Sequence, residues 1–476
     1  MDPFLSATAL AAAVRRRELD PVAVIDATLD RIAALDPVLH AFVALRPDEA
    51  RDEARALRAA LDRGADPGPL AGVPFGVKDL EDLAGLPTTH GSVPFREHRP
   101  KRDSTQVARL RAAGAIAVGK TNTPEFGYTA FTKNRLFGTT RNPWDLSRTP
   151  GGSSGGSAAA IAAGLVPLAT ASDGGGSVRI PACYTGAFGL KPTFGRIPRG
   201  PFDFRDWIDT VAFGPIARTV EDAALFLDVT AGPDPDDPDS LPRPPRGWRE
   251  TLDELPQGLR LAYSPTLGYA RVEPQVRRET EAAIDALAGA IGRPVEHCAD
   301  RLTDAGFAWA ALNAFELHAR LAPIVDTHRG DWGRGFLQGV ELGGRLGPAD
   351  VGRFQADRLR LLDEVSRIFA QVDVLLTPTL PTAAFAAAGP LPTHVDGEPL
   401  ASPIHAVAFT YPFNLTGHPA ATVRAGFTDD GLPVGLQLVA ARGREDLLLQ
   451  LARVYERVRP FDRWPREPFR DGARPT

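Results

Sequence analysis

Apolar positions in the first sixty residues recur at helical spacing. Residues 9–17 form one amphipathic stretch. Asp20-Pro21 reads as an N-cap followed by proline at the first helical position, opening a helix to about residue 35. Residues 47–63, rich in Ala, Glu, Asp and Arg, form a third. From Gly72 the pattern changes. Short apolar runs at 74–77, 115–118 and 165–171 alternate with helical stretches at 104–113 and 155–163. Strands alternating with helices predict an α/β core. Later runs at 259–263, 372–376 and 434–439 read as returning strands, 274–290 as a helix, and 307–369 as a mostly helical cover. The Pro/Asp-dense stretch 232–249 reads as an exposed connection. No internal repeat is present. The pattern predicts one domain over residues 1–476, with N-terminal helices in 1–64 and a helical insertion over about 240–370.

Composition narrows the class. With 43% hydrophobic and 24% charged residues the chain is an ordinary globular one. Its net charge of −5 is not gathered into a tail, which argues against nucleic acid or an anionic membrane as partner. No apolar run reaches the roughly 18 residues of a spanning helix. The start lacks the basic n-region of a secretory signal, and the two cysteines, Cys183 and Cys298, make no disulfide framework, so the expected compartment is the cytoplasm. The nine histidines show no metal-ligand spacing, so no metal or cofactor is expected. One bias bears on chemistry: of 54 Lys plus Arg only five are lysine, namely Lys78, Lys101, Lys120, Lys133 and Lys191. Arg holds its proton in a protein whereas a buried Lys can lose it, so a Lys in apolar surroundings here is a candidate base.

Two motifs match familiar patterns in form only. GAIAVGKT at 114–121 fits the P-loop pattern, but its middle reads as a strand and no helix opens behind Lys120. GGSSG at 151–155 fits the nucleophile elbow, but 145–150 is a poor strand; a Ser-His-Asp triad through His405 or His418 is the runner-up mechanism.

The chemistry concentrates between Thr149 and Thr193. DGGGS at 173–177 reads either as a turn with a capping serine or as an anion-binding nest of backbone N–H groups that presents Ser177 beside it. Acyl transfer needs the second arrangement, a hydroxyl next to donors for the developing oxyanion. GGSSGG at 151–156 adds a second serine turn, and Lys78 sits in the apolar, strand-like run GVPFGVKD. Burial of that amine would lower its pKa; a fall of about three units corresponds to about 4 kcal/mol.

These segments together resemble the amidase-signature family. So do LAGVPFGVKD at 70–79, TNTPEF at 121–126, NPW at 142–144, FGPIARTVED at 213–222, NLTGHP at 414–419 and GLPVGLQ at 431–437. The resemblance implies a large mixed central sheet covered by helices on both faces, and an amidohydrolase with a Ser–cisSer–Lys triad. By it Ser177 is the acylated nucleophile, Ser153 the relay with a cis bond to Gly152, and Lys78 the base. The backbone N–H groups from Gly174 to Ser177, those of Gly175 and Gly176 included, would bind the substrate oxyanion. Asp173, Ser154 and Arg179 would position the site, while Asn414 and Glu125 would have local roles. Glycine at 174 is similar to a subgroup that includes cyclic nylon oligomer hydrolases. Phe126, Tyr128, Trp207 and the cover from Trp309 to Phe336 are candidates for the pocket wall. The expected substrate is a small apolar or aryl amide, with esters and carbamates chemically similar, and the expected assembly a homodimer. The alternative is an amidotransferase component working on glutamine within a complex.

Overall fold

The computed structural model describes residues 2–201, 210–467 and 469. Among them, eleven strands form one mixed sheet: β1 (Phe42–Leu45), β2 (Pro74–Lys78), β3 (Ile116–Thr121), β4 (Leu168–Asp173), β5 (Phe188–Lys191), β6 (Ala212–Ala217), β7 (Leu261–Tyr263), β8 (Glu296–His297), β9 (Val374–Pro378), β10 (Ala420–Phe427) and β11 (Pro433–Ala440). Their spatial order is β1-β3-β2-β4-β6-β5-β10-β11-β9-β7-β8. β2 runs parallel to β3 and β4, so the C-terminal ends of these strands share one edge and bring Lys78, Thr121 and Asp173 to it. Ligands in open α/β sheets gather at such carboxyl ends. β6 returns antiparallel to β4, and β5, β10, β11 and β9 continue antiparallel. At the far edge β9, β7 and β8 are parallel again.

The helices are α1 (Ala7–Arg15), α2 (Pro21–Leu39), α3 (Pro47–Asp62), α4 (Thr105–Ala112), α5 (Gly155–Ala162), α6 (Arg179–Thr185), α7 (Val220–Thr230), α8 (Pro274–Ile291), α9 (Gly306–Val325), α10 (Arg334–Gly343), α11 (Pro348–Gln371), α12 (Tyr411–Leu415) and α13 (Glu445–Val458). They cover both faces. α1, α4, α7, α8 and α13 share one core with the sheet, α2, α3, α5 and α6 a second, and α9, α11 and α12 a third. Alternation along the strands divides the faces: Val374 and Leu376 join the first core and Leu375 the third. As the sequence predicts, Asp20 caps α2 by accepting from Val22 N (3.1 Å), with Pro21 in its first turn.

Five strands escape the sequence pattern: β1, β5, β6, β8 and β10. The first four are short or carry glycine or proline. β6, AFGPIA, pairs Pro215 with Thr170 inside the sheet, where proline usually argues against a strand. The segment 240–370 is not helical throughout; it contributes β7 and β8 to the sheet edge. Among the described residues no helix is long and apolar enough to cross a membrane.

Candidate active site

Lys78 ends β2 with its side chain wholly buried. Its Nζ donates to Ser153 Oγ (2.8 Å), Ser172 Oγ (2.9 Å) and Ser172 O (3.2 Å). Burial lowers the amine's pKa from the usual lysine range to about 7, with the Glu81 and Asp173 carboxyls opposing. Lowered pKa alone does not select it, because Lys191 is also brought to about 7 by burial and by Arg179. Geometry selects it: Lys191 Nζ donates to the carbonyl of Pro192, not to a serine. Lys120 is buried too, donating to Glu81 O (2.5 Å) and Thr88 Oγ1 (2.9 Å) and paired with Asp79 at 3.4 Å. It lies near the end of β3 rather than in a phosphate loop, in agreement with the sequence reading. The two remaining lysines, Lys101 and Lys133, are exposed.

Ser153 follows a cis Gly152–Ser153 peptide bond. The turn is clamped by close backbone approach: a Cβ on Gly152 would lie 2.7 Å from Thr129 O, and one on Gly151 2.9 Å from Pro181 Cα. Ser154 N donates to Ser177 O (3.3 Å), which ties the two serine turns together. Ser153 and Ser177 line the same cavity of about 480 Å³. The Ser177 hydroxyl makes no hydrogen bond to a described residue, so the Lys78–Ser153 pair is formed and the Ser153–Ser177 contact is not.

The 173–177 loop is fixed from below. Asp173 and Arg179, both fully buried, form a two-pronged pair: Nε to Oδ2 (3.0 Å) and Nη2 to Oδ1 (2.9 Å). Burial alone would raise the Asp173 pKa, but the Arg179 charge and hydrogen bonds overcome it and hold the carboxyl well below the usual range. Arg179 also donates to Asn414 Oδ1 (2.6 Å), Gln437 Oε1 (2.8 Å) and Thr410 O (2.9 Å). Asn414 Nδ2 donates to Asp173 O (2.7 Å) and Oδ1 (2.9 Å), so its place is in this network rather than merely local. Ser154 Oγ donates to Ser172 O (3.4 Å). Glu125 is not local either: it accepts from Ser92 Oγ (2.6 Å) and Gly333 N (2.8 Å), tying the turn at Ser92 to the start of α10.

The three glycines part company. Gly174 and Gly175 line the cavity and their N–H groups have no described acceptor. Gly176, at φ 130°, does not line it. Its N–H donates to Asp173 Oδ1 (2.7 Å), and a Cβ there would strike Thr410 Oγ1. A donor already spent on a buried carboxylate is not available to a substrate oxyanion, which corrects the expectation for Gly176.

Phe126, Tyr128 and Trp309 line the cavity, with Ile180, Leu317 and Val407. Phe336 stands behind, stacked on Phe126 at 5.3 Å. Trp207 lies outside the described residues. His405 pairs with Asp304 (2.6 Å) and His418 with Thr416 Oγ1 (2.9 Å), neither with a serine, which removes the runner-up triad. His90 and His98 line the cavity, a proximity the sequence does not reveal. Burial lowers the His90 pKa to about 3, and its ring stacks on Phe126. No sequence motif marks Ser172 for its role, although it directly precedes Asp173 on β4.

A mixed sheet carries a buried lysine–serine pair beside a glycine turn and a second serine, an arrangement suited to acyl transfer. Residues 23–449 match the sequence model of the Amidase family. The chain is 40% identical over 469 residues to an acylamidase of Rhodococcus erythropolis, covering 96% of each chain. It is 39% identical to a glutamyl-tRNA(Gln) amidotransferase subunit from Synechococcus sp. (strain RCC307), covering 90% of this chain and 92% of the relative. Among solved structures, a bacterial aryl acylamidase of the amidase-signature enzymes superposes with a TM-score of 0.90 at 30% identity over 96% of each chain. The 6-aminohexanoate cyclic dimer hydrolase, complexed with substrate, superposes with 0.88 at 32% identity over 98% of this chain and 99% of that one. The chain belongs to the amidase family and is a hydrolase acting on amides.

Proposed function

We propose that the protein cleaves the carboxamide bond of a small apolar or aryl amide through an acyl-enzyme on Ser177. Ser153 relays the proton and Lys78 acts as base. The observation that carries this is the 2.8 Å bond from the buried Lys78 amine to Ser153, in the cavity that Ser177 also faces. Catalytic hydrogen bonds are often long without substrate and tighten in the complex.

In acylation the Ser177 oxygen bonds to the carbonyl carbon and the C=O π pair moves onto oxygen. The Ser177 proton passes to Ser153, whose own proton passes to Lys78. On collapse the C–N bond breaks and the amine takes a proton back through Ser153. Water then repeats the sequence on the ester. The N–H groups of Gly174, Gly175 and Ser177 are the candidate donors to the oxyanion.

The apolar wall at Phe126, Trp309, Ile180 and Val407 supports an apolar or aryl substrate, and esters and carbamates present the same carbonyl. The same reading takes residues 1–476 as one domain with 1–64 as its N-terminal helices and 240–370 as its cover. It takes the protein as a cytoplasmic homodimer that binds no nucleic acid. The second reading, a glutamine amidase inside an amidotransferase, is favoured by the resemblance to the Synechococcus amidotransferase chain. Purified chain assayed alone on an aryl acylamide and on glutamine separates the two. Turnover of the aryl amide without a partner, lost in Ser177→Ala with the fold intact, is the expected result. Activity on glutamine only, and only with partner chains, would replace the first reading with the second. A Ser177→Ala variant that keeps turnover would remove the nucleophile.

A further inference from the structure

We propose that Trp309 is the positioning residue that orients the Gly175 N–H as an oxyanion donor beside Ser177. This rests on the acyl-enzyme reading above. Trp309 lies in the first turn of the cover helix α9, more than a hundred residues from the glycine turn in sequence, yet its indole N–H donates to Gly174 O at 2.8 Å. Its ring is flush with the next residue: a Cβ on Gly175 would collide with Trp309 Cζ2.

A trans peptide is planar, with its C=O and N–H pointing in opposite directions. Holding Gly174 O therefore fixes the direction of the Gly175 N–H, which belongs to the same peptide plane. The following plane is held separately. Thr410 Oγ1 donates to Gly175 O (2.6 Å), and Asp173 Oδ1 accepts the Gly176 N–H (2.7 Å). Of these two planes only the first has an N–H without a described acceptor, and Trp309 is what clamps it. A glycine run left unclamped would sample many orientations, and donors aimed in advance are what an oxyanion needs.

The clamp is itself braced. The Trp309 ring stacks on Tyr411 at 5.8 Å and 16°. Tyr411 OH donates to Asp304 Oδ1 (2.7 Å), Asp304 accepts from Gly306 N (3.1 Å), and His405 closes on its other oxygen (2.6 Å). The start of α9 is thus pinned to α12, and the indole is held between Tyr411 and the glycine turn. A residue serving only as pocket wall would need neither the hydrogen bond nor the brace.

The test separates wall from clamp. Trp309→Phe keeps an apolar ring and removes the donor; a benzothiophene side chain at 309 keeps the indole shape with sulfur in place of N–H. Both are assayed on an aryl acylamide, and with a trifluoromethyl ketone analogue whose hemiketal oxygen occupies the oxyanion position. The expected result is a fall in kcat of about tenfold or more with KM changed less than about threefold, and a matching loss of ketone affinity. Should Trp309→Phe not fold, the sulfur isostere decides. The proposal is overturned if kcat and ketone affinity stay within about threefold of wild type, or if the loss falls on KM alone. Mass spectrometry of wild-type protein after a serine-directed probe keeps the two readings apart: failure to label Ser177 sinks the acyl-enzyme, whereas labelled Ser177 with an indifferent Trp309 sinks only the clamp.

Discussion

At the scale of the residue, the proposed mechanism turns on one amine losing its proton. As the proposed base, Lys78 must be neutral to accept the Ser153 proton, and burial has brought its pKa to about 7. Protonated below that value, it is idle. So kcat/KM should climb with pH through about 7 and level off above, in a profile measured on an aryl amide; a rate independent of pH from 5 to 10 would exclude this base. Lys78→Arg should be nearly inactive, because guanidinium keeps its proton. Asp173 makes the opposite use of burial, kept charged by Arg179. Asp173→Asn leaves that guanidinium buried without its carboxylate, and thermal or denaturant unfolding should show a loss of about 3–5 kcal/mol. The sign of the pH dependence follows from the lowered Asp173 pKa. Its contribution is present above the ordinary carboxylate range and drains away as pH falls below it, so wild type and Asp173→Asn should converge in stability at acid pH.

At the scale of the element, the site is where helices and strands come closer than side chains permit. α5 carries Ser154 at its N-cap, and its second residue, Gly156, lies against the end of β3: a Cβ there would strike Asn122 N and lie 2.6 Å from Ala41 O. Backbone atoms cannot step aside as a flexible side chain would. Gly156→Ala should therefore push α5 and its serine turn away from Lys78, costing about 1–3 kcal/mol in chemical denaturation and lowering kcat, even though alanine is the better helix former. A variant as stable and active as wild type would show that α5 has room to shift. Such contacts explain Gly152, Gly155 and Gly156, whereas Gly151 is also required by its φ of 88°.

At the scale of the whole molecule, the sheet carries Lys78, the turns opening toward α5 and α6 carry Ser153 and Ser177, and the cover supplies part of the wall. α9 and α10 close over the cavity, and Phe336 backs Phe126 while Trp332 lies 6.1 Å from the same ring. Phe336→Ala removes support behind the wall without touching the serines. It should cost about 3–5 kcal/mol and raise KM for an aryl amide more than it lowers kcat, as steady-state kinetics would report.

Most helices and the β2 to β4 strands that carry the candidate site are legible in the amino-acid order, because hydrophobic period is a local signal, whereas the proposed roles of Lys78, Ser153 and Ser177 come from the family resemblance of the segments around them. β6 is not legible, since its proline and glycine disguise a strand that its neighbours stabilise. Nor does the order distinguish Gly176 from Gly174 and Gly175: three identical residues differ only in what the fold places against them. That Lys78 rather than Lys191 meets a serine, and that Trp309 reaches Gly174, are outcomes of tertiary packing, since both depend on which distant chain segments share one buried space.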